Sequence, residues 1–301
     1  MPNTAITFSC DTNYFPLLKG LVLSLADLGL PNDEITLYLA DTGCSEADLR
    51  WLASHGVKAV PFDYRDHFRF PASTPDSRRY ASLLYRPVIP TLFPGHEVYV
   101  HIDADIWIQN ASGLMNYITI CARHPDKVVV TPCVDFSYMS EYRKQDANIK
   151  AMFRMYTSVY DETVAAEYYG RPVLSAGMFA VHRDHPFWAA WKQEMDRSYG
   201  KSYIHEVDRG GSDQTTMNYL LHRDLNFIPL SAAHNYNCHV GFPQRRLPEG
   251  KVTVGFPPYD AIDVVHLTCF STYNTMYHKY GLLYDSGRYL SEEDRRTLRL
   301  A

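Results

Sequence analysis

Over the first hundred residues, strand-like and helix-like segments alternate without a break, and that order leaves few folds open. Ala5–Ser9 carries Ile6, Thr7 and Phe8 between polar neighbours and reads as a short buried strand. Leu18, Leu21, Leu25 and Leu28 recur at helical spacing on one face until Gly29 and Pro31 stop the pattern. Glu34–Leu39 is again strand-like. Ser45 suits the N-cap of a helix reaching His55, with Asp48 placed to complete a capping box and Gly56 closing it. A strand over Val57–Phe62, a helix over Tyr80–Leu92 and a strand over Glu97–Ile102 complete the series. Repeated strand–helix–strand units build an open, mainly parallel sheet covered by helices, and ligands of such sheets sit at the carboxyl ends of the strands. Asp11, Asp41 and Asp103 stand at those ends. Beyond residue 110 the pattern loosens, with strands expected at Val128–Thr131 and Met178–Val181 and helices at Pro186–Tyr199 and Ser212–His222. No linker of low complexity divides the chain, so residues 1–301 are expected to form one mixed α/β domain.

Charge narrows the partners. The 29 basic and 34 acidic residues leave a formal charge of −5 without a basic block, so a phosphate-backbone partner such as nucleic acid is not expected. No run approaches the 18 apolar residues of a membrane span, and no secretory signal opens the chain, so a cytoplasmic location with at most peripheral membrane contact is expected. Cys10, Cys44, Cys121, Cys133, Cys238 and Cys269 show no metal-binding spacing and are expected to be buried free thiols.

The segment richest in chemistry is Val98–Gln109, an apolar strand that meets solvent at Asp103-Ala104-Asp105. Two carboxylates one residue apart at a strand end offer hard oxygen ligands for Mg²⁺ or Mn²⁺, ions that also take phosphate oxygens. A D-x-D triplet alone arises readily by chance, so its neighbours carry the weight. Asp11, Asn13 and Tyr14 place a carboxylate, an amide and a ring after the first strand, groups suited to hydrogen-bonding and stacking on a uridine. Further along stand Arg86, the turn Leu174-Ser175-Ala176-Gly177, the pair Asp213-Gln214 opening a helix with Asn218 one turn on, and His266 after a short strand at Asp263–Val265.

In this order the motifs resemble those of the retaining glycosyltransferases of family 8, which include glycogenin and bacterial lipopolysaccharide α-galactosyl- and α-glucosyltransferases. The resemblance runs from about residue 5 to 270. It implies the GT-A fold, a single Rossmann-like, mixed but mainly parallel sheet flanked by helices, with residues 1–110 as the nucleotide-binding half and 111–301 as the acceptor-binding half and C-terminal segment. It further implies a hexosyltransferase of polysaccharide biosynthesis that uses a UDP-sugar donor, with Mn²⁺ or Mg²⁺ as cofactor and a saccharide, lipid-linked or protein hydroxyl as acceptor. By the same resemblance Asp11, Asn13 and Tyr14 would hold the uridine, and Asp103, Asp105 and His266 the metal. Arg86, Ala104, Ser175 and Ala176 would line the donor, Asp213 and Gln214 would act at the anomeric carbon, and Asp135 would face the acceptor.

Two departures stand out. Ser175 takes the place of the family's usual Asn, which is expected to shorten or remove a hydrogen bond to the donor sugar. After His266 the family's Gly and diphosphate-binding Lys are absent; Thr272 stands at the Lys position, and the nearest cation is Lys279. Tyrosine-rich stretches at Ser137–Arg143 and Tyr156–Tyr169 lie on the expected acceptor side, although most tyrosines there are expected to be packing residues. Haloacid-dehalogenase phosphatases also use D-x-D, but theirs opens the chain. Sugar nucleotidyltransferases need an early Gly-rich loop, whereas the first Gly here is Gly20. A sugar-nucleotide-binding protein without turnover, or an inverting transferase with Glu206 or Asp208 as base, stays open as an alternative.

Overall fold

The computed structural model describes residues 1–30, 34–69, 78–138, 145–199, 212–246, 250–284 and 290–300. Its strands are β1 (Thr4–Cys10), β2 (Ile35–Asp41), β3 (Val57–Pro61), β4 (Val98–Ile102), β5 (Ile106–Ile108) and β6 (Val128–Pro132). They continue with β7 (Leu174–His182), β8 (Phe227–Pro229), β9 (Tyr236–Asn237), β10 (Gln244–Arg245), β11 (Val252–Thr253) and β12 (Val264–His266). Seven of them form the main sheet in the order β3-β2-β1-β4-β7-β6-β8. Within it β7 runs against both β4 and β6, and all other neighbouring pairs are parallel. The expected α/β architecture is therefore the observed one. From β1 the chain builds β2 and β3 on one side and then returns to place β4 on the other, which opens a crevice at the carboxyl ends of β1 and β4.

Strand alternation explains why both faces are covered. Val98, Val100 and Ile102 of β4 point into one apolar layer with the helix Phe15–Asp27 and the helix Ala111–Arg123. Tyr99 points into the other, beneath Phe187–Tyr199 and Ser212–Asp224. His101 shares that second face, where its ring meets Tyr85 and Phe179. Ser45 caps the helix Glu46–Ser54 with a full capping box to Asp48, and Gly56 takes the left-handed φ of +75° that ends it.

Three elements differ from expectation. The helix foreseen over Tyr80–Leu92 stops at Leu84; a 3₁₀ turn at Arg86–Val88 and a single α turn at Ile89–Leu92 follow. Pro87 and Pro90 account for the break, because each lacks an N–H and disfavours helical backbone before it. A second sheet, β5-β12-β9, begins three residues past the main one and was not legible in strands so short. His266 lies within β12, as its last residue, and not beyond a strand. Tyr156, Tyr160, Tyr168 and Tyr219 pack against one another in tilted and edge-on contacts between helices, so this part of the tyrosine-rich region is packing. The stretch 139–143 lies outside the described residues. All six cysteines are free; Cys10, Cys121 and Cys238 are buried, whereas Cys269 is exposed because it turns in left-handed backbone ahead of a helix. No helix among the described residues is long and apolar enough to cross a membrane.

The terminal helix Glu292–Thr297 is pinned to the first. Asp294 closes a capping box with Ser291, and both its oxygens accept from Lys19 Nζ, at 3.0 and 3.1 Å. Burial would raise the Asp294 carboxyl, but Lys19 and the Ser291 hydrogen bonds hold it below the ordinary range. A depressed carboxylate stabilises the fold above its unfolded value and loses that effect as pH falls through the folded one. Asp294→Ala is therefore expected to cost about 2 kcal/mol at neutral pH. In urea unfolding the gap between wild type and variant should shrink from about pH 4 downward; a gap equal at neutral and low pH would assign the effect to packing.

Candidate active site

The two carboxylates of the D-x-D segment sit where the main sheet hands over to the small one. Asp103 follows β4 and donates its N–H to Gly177 of the antiparallel β7, at 2.8 Å. Asp105 precedes β5, whose partner β12 sets His266 opposite Ile106, and Leu267 donates its N–H to the Asp105 carbonyl. Three strands thus converge, and His266 Nε2 lies 3.4 Å from Asp105 Oδ1 and 4.0 Å from Asp103 Oδ2. One ligand atom from each of Asp103, Asp105 and His266 falls within 4.8 Å of the others. Bonds of about 2.1 Å to a single ion would need under about 1 Å of closure.

Gly177 shows that this convergence is built in. A Cβ there would stand 2.3 Å from His266 Cε1 and 3.0 Å from Asp103 Oδ2, so only glycine lets the imidazole lie flat against β7. The donor set of two carboxylate oxygens and one imidazole nitrogen fits Mn²⁺ or Mg²⁺, the nitrogen leaning toward Mn²⁺.

Behind the acids lies a buried polar cluster. Arg86, 5% exposed, donates to Asp103 Oδ1 through one terminal nitrogen and to Asp213 Oδ2 through the other. The proline-broken helix explains this placement, because the 3₁₀ turn at Arg86–Val88 carries its arginine inward. Asp103 Oδ1 also accepts from His101 Nε2 at 2.9 Å, and His101 Nδ1 in turn accepts from the Tyr85 hydroxyl. Burial and then the Arg86 charge push His101 down to about 4, so its imidazole stays neutral at pH 7. Burial alone would raise Asp103, yet Arg86 and His101 hold it well below the usual carboxylate range. Asp213 moves the other way: burial raises it in spite of Arg86. Burial also opposes the Arg86 charge, but the two carboxylates outweigh it and raise that group further.

The remaining expected residues fall in four places. Gln214 Oε1 accepts from Ala176 N at 3.2 Å, and Asn218 bonds both backbone groups of Leu174, so the helix start is stitched to β7. Asp11 shapes its own turn: Oδ1 accepts from the Asn13 and Tyr14 N–H groups and Oδ2 from Asn13 Nδ2. Asn13 and Tyr14 are exposed there at the neighbouring strand end. Ala104 is buried between the two acids. Asp135 accepts from Ser137 N in the loop after β6, and that loop rests on β9 through the Ser137–Tyr236 hydroxyl pair at 2.8 Å. β9 is the strand beside His266.

Two expectations change. Ser175 is buried, and its hydroxyl accepts from Asn235 Nδ2 at 2.9 Å and from Gly177 N at 3.3 Å, so it is engaged inside the protein. Lys279 ends the helix Phe270–Lys279, carried about 13 Å along the axis from the start nearest His266, and its ammonium lies over the Tyr280 ring. Thr268, two residues past His266, pairs its hydroxyl with His239 Nδ1, and its carbonyl accepts from the Tyr277 hydroxyl at 2.7 Å. Glu206 and Asp208 lie outside the described residues. Sequence reasoning passed over His101, Asn235 and Gly177's steric role; a histidine inside an otherwise apolar strand was the one available signal.

Gly177→Ala is expected to fold, because the clash meets side chains (His266 foremost, then Asp103) and not backbone, but to rotate His266 out of the cluster. Mn²⁺ affinity read by electron paramagnetic resonance should fall at least about tenfold; unchanged affinity would show that the imbalance of space is absorbed elsewhere.

No known family model matches the sequence, and no curated protein matches it. Among solved structures the chain is similar to the bifunctional glycosyltransferase WbbM in its apo form, with TM-score 0.52 and 15% identity over 77% of this chain. It spans only 39% of that larger protein. It is similar along nearly its whole length to the galactosyltransferase LgtC in complex with donor and acceptor sugar analogues, with TM-score 0.55, 15% identity, and coverage of 97% of this chain and 99% of LgtC. An active-site mutant of LgtC gives the same TM-score at 14% identity. These likenesses fix the architecture: the chain has the GT-A fold.

Proposed function

We propose that the chain is a metal-dependent hexosyltransferase that moves a sugar from a UDP-sugar to a hydroxyl of a saccharide, lipid-linked or protein acceptor, with retention of anomeric configuration. One observation carries the reading. At the carboxyl end of the sheet, two carboxylates and an imidazole converge on one point, and a single buried arginine ties them to the acid–amide pair Asp213-Gln214. The antiparallel β4–β7 pairing joins the two halves across the site and supports their action as one domain. The likeness to LgtC, a galactosyltransferase with donor and acceptor analogues bound, supports the substrate class. A cytoplasmic location, without a membrane span, belongs to the same reading.

Asp103, Asp105 and His266 would hold the divalent ion, which bound there neutralises charge on the departing diphosphate. The exposed face of Asn13 and Tyr14 would receive the uridine, with Asp11 keeping their turn in shape. Arg86 still has a buried Nε–H without a partner among the described residues, a donor for a sugar or phosphate oxygen. Asp213 and Gln214 would face the anomeric carbon as it turns oxocarbenium-like, where the carboxylate stabilises positive charge. Retention follows if the acceptor attacks from the leaving-group side: the acceptor-oxygen bond to the anomeric carbon forms, the bond to the diphosphate oxygen breaks, and that oxygen takes the acceptor proton. Asp135, on the loop over β9, would orient the acceptor.

Charge gives the first test. A diphosphate beside two carboxylates is repelled unless a cation lies between them, so metal and nucleotide affinities must be coupled. In calorimetry UDP should bind at least about tenfold more tightly with Mn²⁺ than with excess chelator, and Asp105→Ala should abolish the difference. Equal affinity in both conditions sinks the metal assignment.

Stereochemistry gives the second. With an α-configured donor, the product's NMR spectrum should show an α-linkage, and Glu206→Gln and Asp208→Asn should leave turnover within about twofold of wild type. A β-linked product, or a silent enzyme in either variant with UDP binding intact, would make the transferase inverting.

A further inference from the structure

Behind the metal-facing imbalance of acids and imidazole lies a second line of buried polar groups. Asn235, fully buried between the 3₁₀ turn Ala232–His234 and β9, bridges two elements that the sequence keeps 91 residues apart in numbering only at their ends, Ser175 and His266. Its Oδ1 lies 2.8 Å from His266 Nδ1, and its Nδ2 donates to Ser175 Oγ at 2.9 Å. Ser175 Oγ also accepts from Gly177 N–H, and Gly177 is the residue on which the His266 ring lies. All three residues are at most 4% exposed, so water competes little for these bonds.

The chemistry of a carboxamide makes this line directional. It has one accepting end and one donating end. With Nδ2 spent on Ser175, the end facing His266 is an oxygen, and an oxygen there requires a hydrogen on Nδ1. A neutral imidazole protonated at Nδ1 presents its lone pair at Nε2, the atom facing Asp105 Oδ1 and Asp103 Oδ2. Reversing the amide would set N–H against Nδ1, move the ring proton to Nε2 and leave no lone pair for an ion. We propose that Asn235, oriented by Ser175, is a positioning residue that holds His266 in the Nδ1–H tautomer needed to ligate the divalent ion. The proposal rests on the metal-site reading above. It gives the Ser at position 175 a task of its own, since a hydroxyl that anchors this amide is engaged away from any donor sugar.

The test contrasts two near-isosteric variants of the full-length protein. Asp at position 235 keeps an acceptor toward Nδ1 but adds a buried charge, whereas Leu keeps the volume and removes the acceptor. Outer-shell partners of metal-bound histidines typically account for roughly 10–100-fold in metal affinity. Mn²⁺ titrations followed by electron paramagnetic resonance should therefore show Asn235→Leu weaker by about that factor, and Asn235→Asp within about threefold of wild type. A residue that merely packs predicts the reverse order, with the buried charge worse than the leucine, and that order would overturn the proposal. The tautomer is read independently in the metal-free protein by ¹⁵N-histidine NMR at about pH 8, where an ordinary imidazole is neutral. Wild type should show Nδ1–H for His266 and Asn235→Leu a mixture; Nε2–H in wild type overturns the proposal. If wild type binds no Mn²⁺, the metal-site reading fails, while the NMR result still decides what Asn235 does to the ring.

Discussion

The structure depends first on burying one guanidinium. Arg86 is sequestered from water, and such a charge is tolerated only where it is paired and hydrogen-bonded. Its two carboxylate partners come from different elements: Asp103 from the end of β4 and Asp213 from the start of the helix Ser212–Asp224. Removing both would leave an uncompensated buried charge, a loss of about 3–5 kcal/mol. The pairing therefore fixes where a helix begins relative to where a strand ends, and both carry side chains of the candidate site. Trp191 reinforces it from behind by donating to the Asp213 carbonyl at 3.1 Å.

Much of this was legible in the sequence, for reasons that differ by element. The first half announces itself because its helices have strong local signals: the Ser45–Asp48 capping box and the leucine spacing from Leu18 to Leu25 appear in the structure as read. The central strands β1 and β4 are buried along their whole length because both faces of the sheet are covered there, whereas the edge strand β3 exposes Lys58. The sequence also pointed to Asp103, Asp105 and His266, whose side chains the structure brings together at one place.

What escaped reading was set by partners far along the chain. β5, β9 and β12 have two or three residues each, too few for any periodicity, and exist because they pair with one another over a separate apolar cluster around Trp107, Tyr236 and Val265. His101 looks like an interruption of an apolar strand until Tyr85 and Asp103 are placed on either side of its ring. Asn235 sits in no motif; its meaning comes from residues 60 positions before it and 31 after it. Lys279 was considered by proximity in sequence, but a helix extends where a loop would have folded back.

The same buried network also bears on which ion the site can take. Asp103 Oδ1 is occupied by two protein donors, Arg86 and His101, so this carboxylate has only Oδ2 to offer toward His266. A bidentate grip by Asp103 is thereby excluded unless a buried hydrogen bond breaks. Ca²⁺ is best served by six to eight oxygens and often by bidentate carboxylates, whereas Mn²⁺ and Mg²⁺ accept few protein ligands and fill their shell with phosphate oxygens and water. His266 adds nitrogen in place of a further oxygen, which moves preference away from Ca²⁺ again and toward Mn²⁺. Under the proposed metal reading, the burial of Arg86 and the donor set open to an ion thus share one arrangement: the donors that occupy Asp103 Oδ1 leave Oδ2 as the oxygen it can offer.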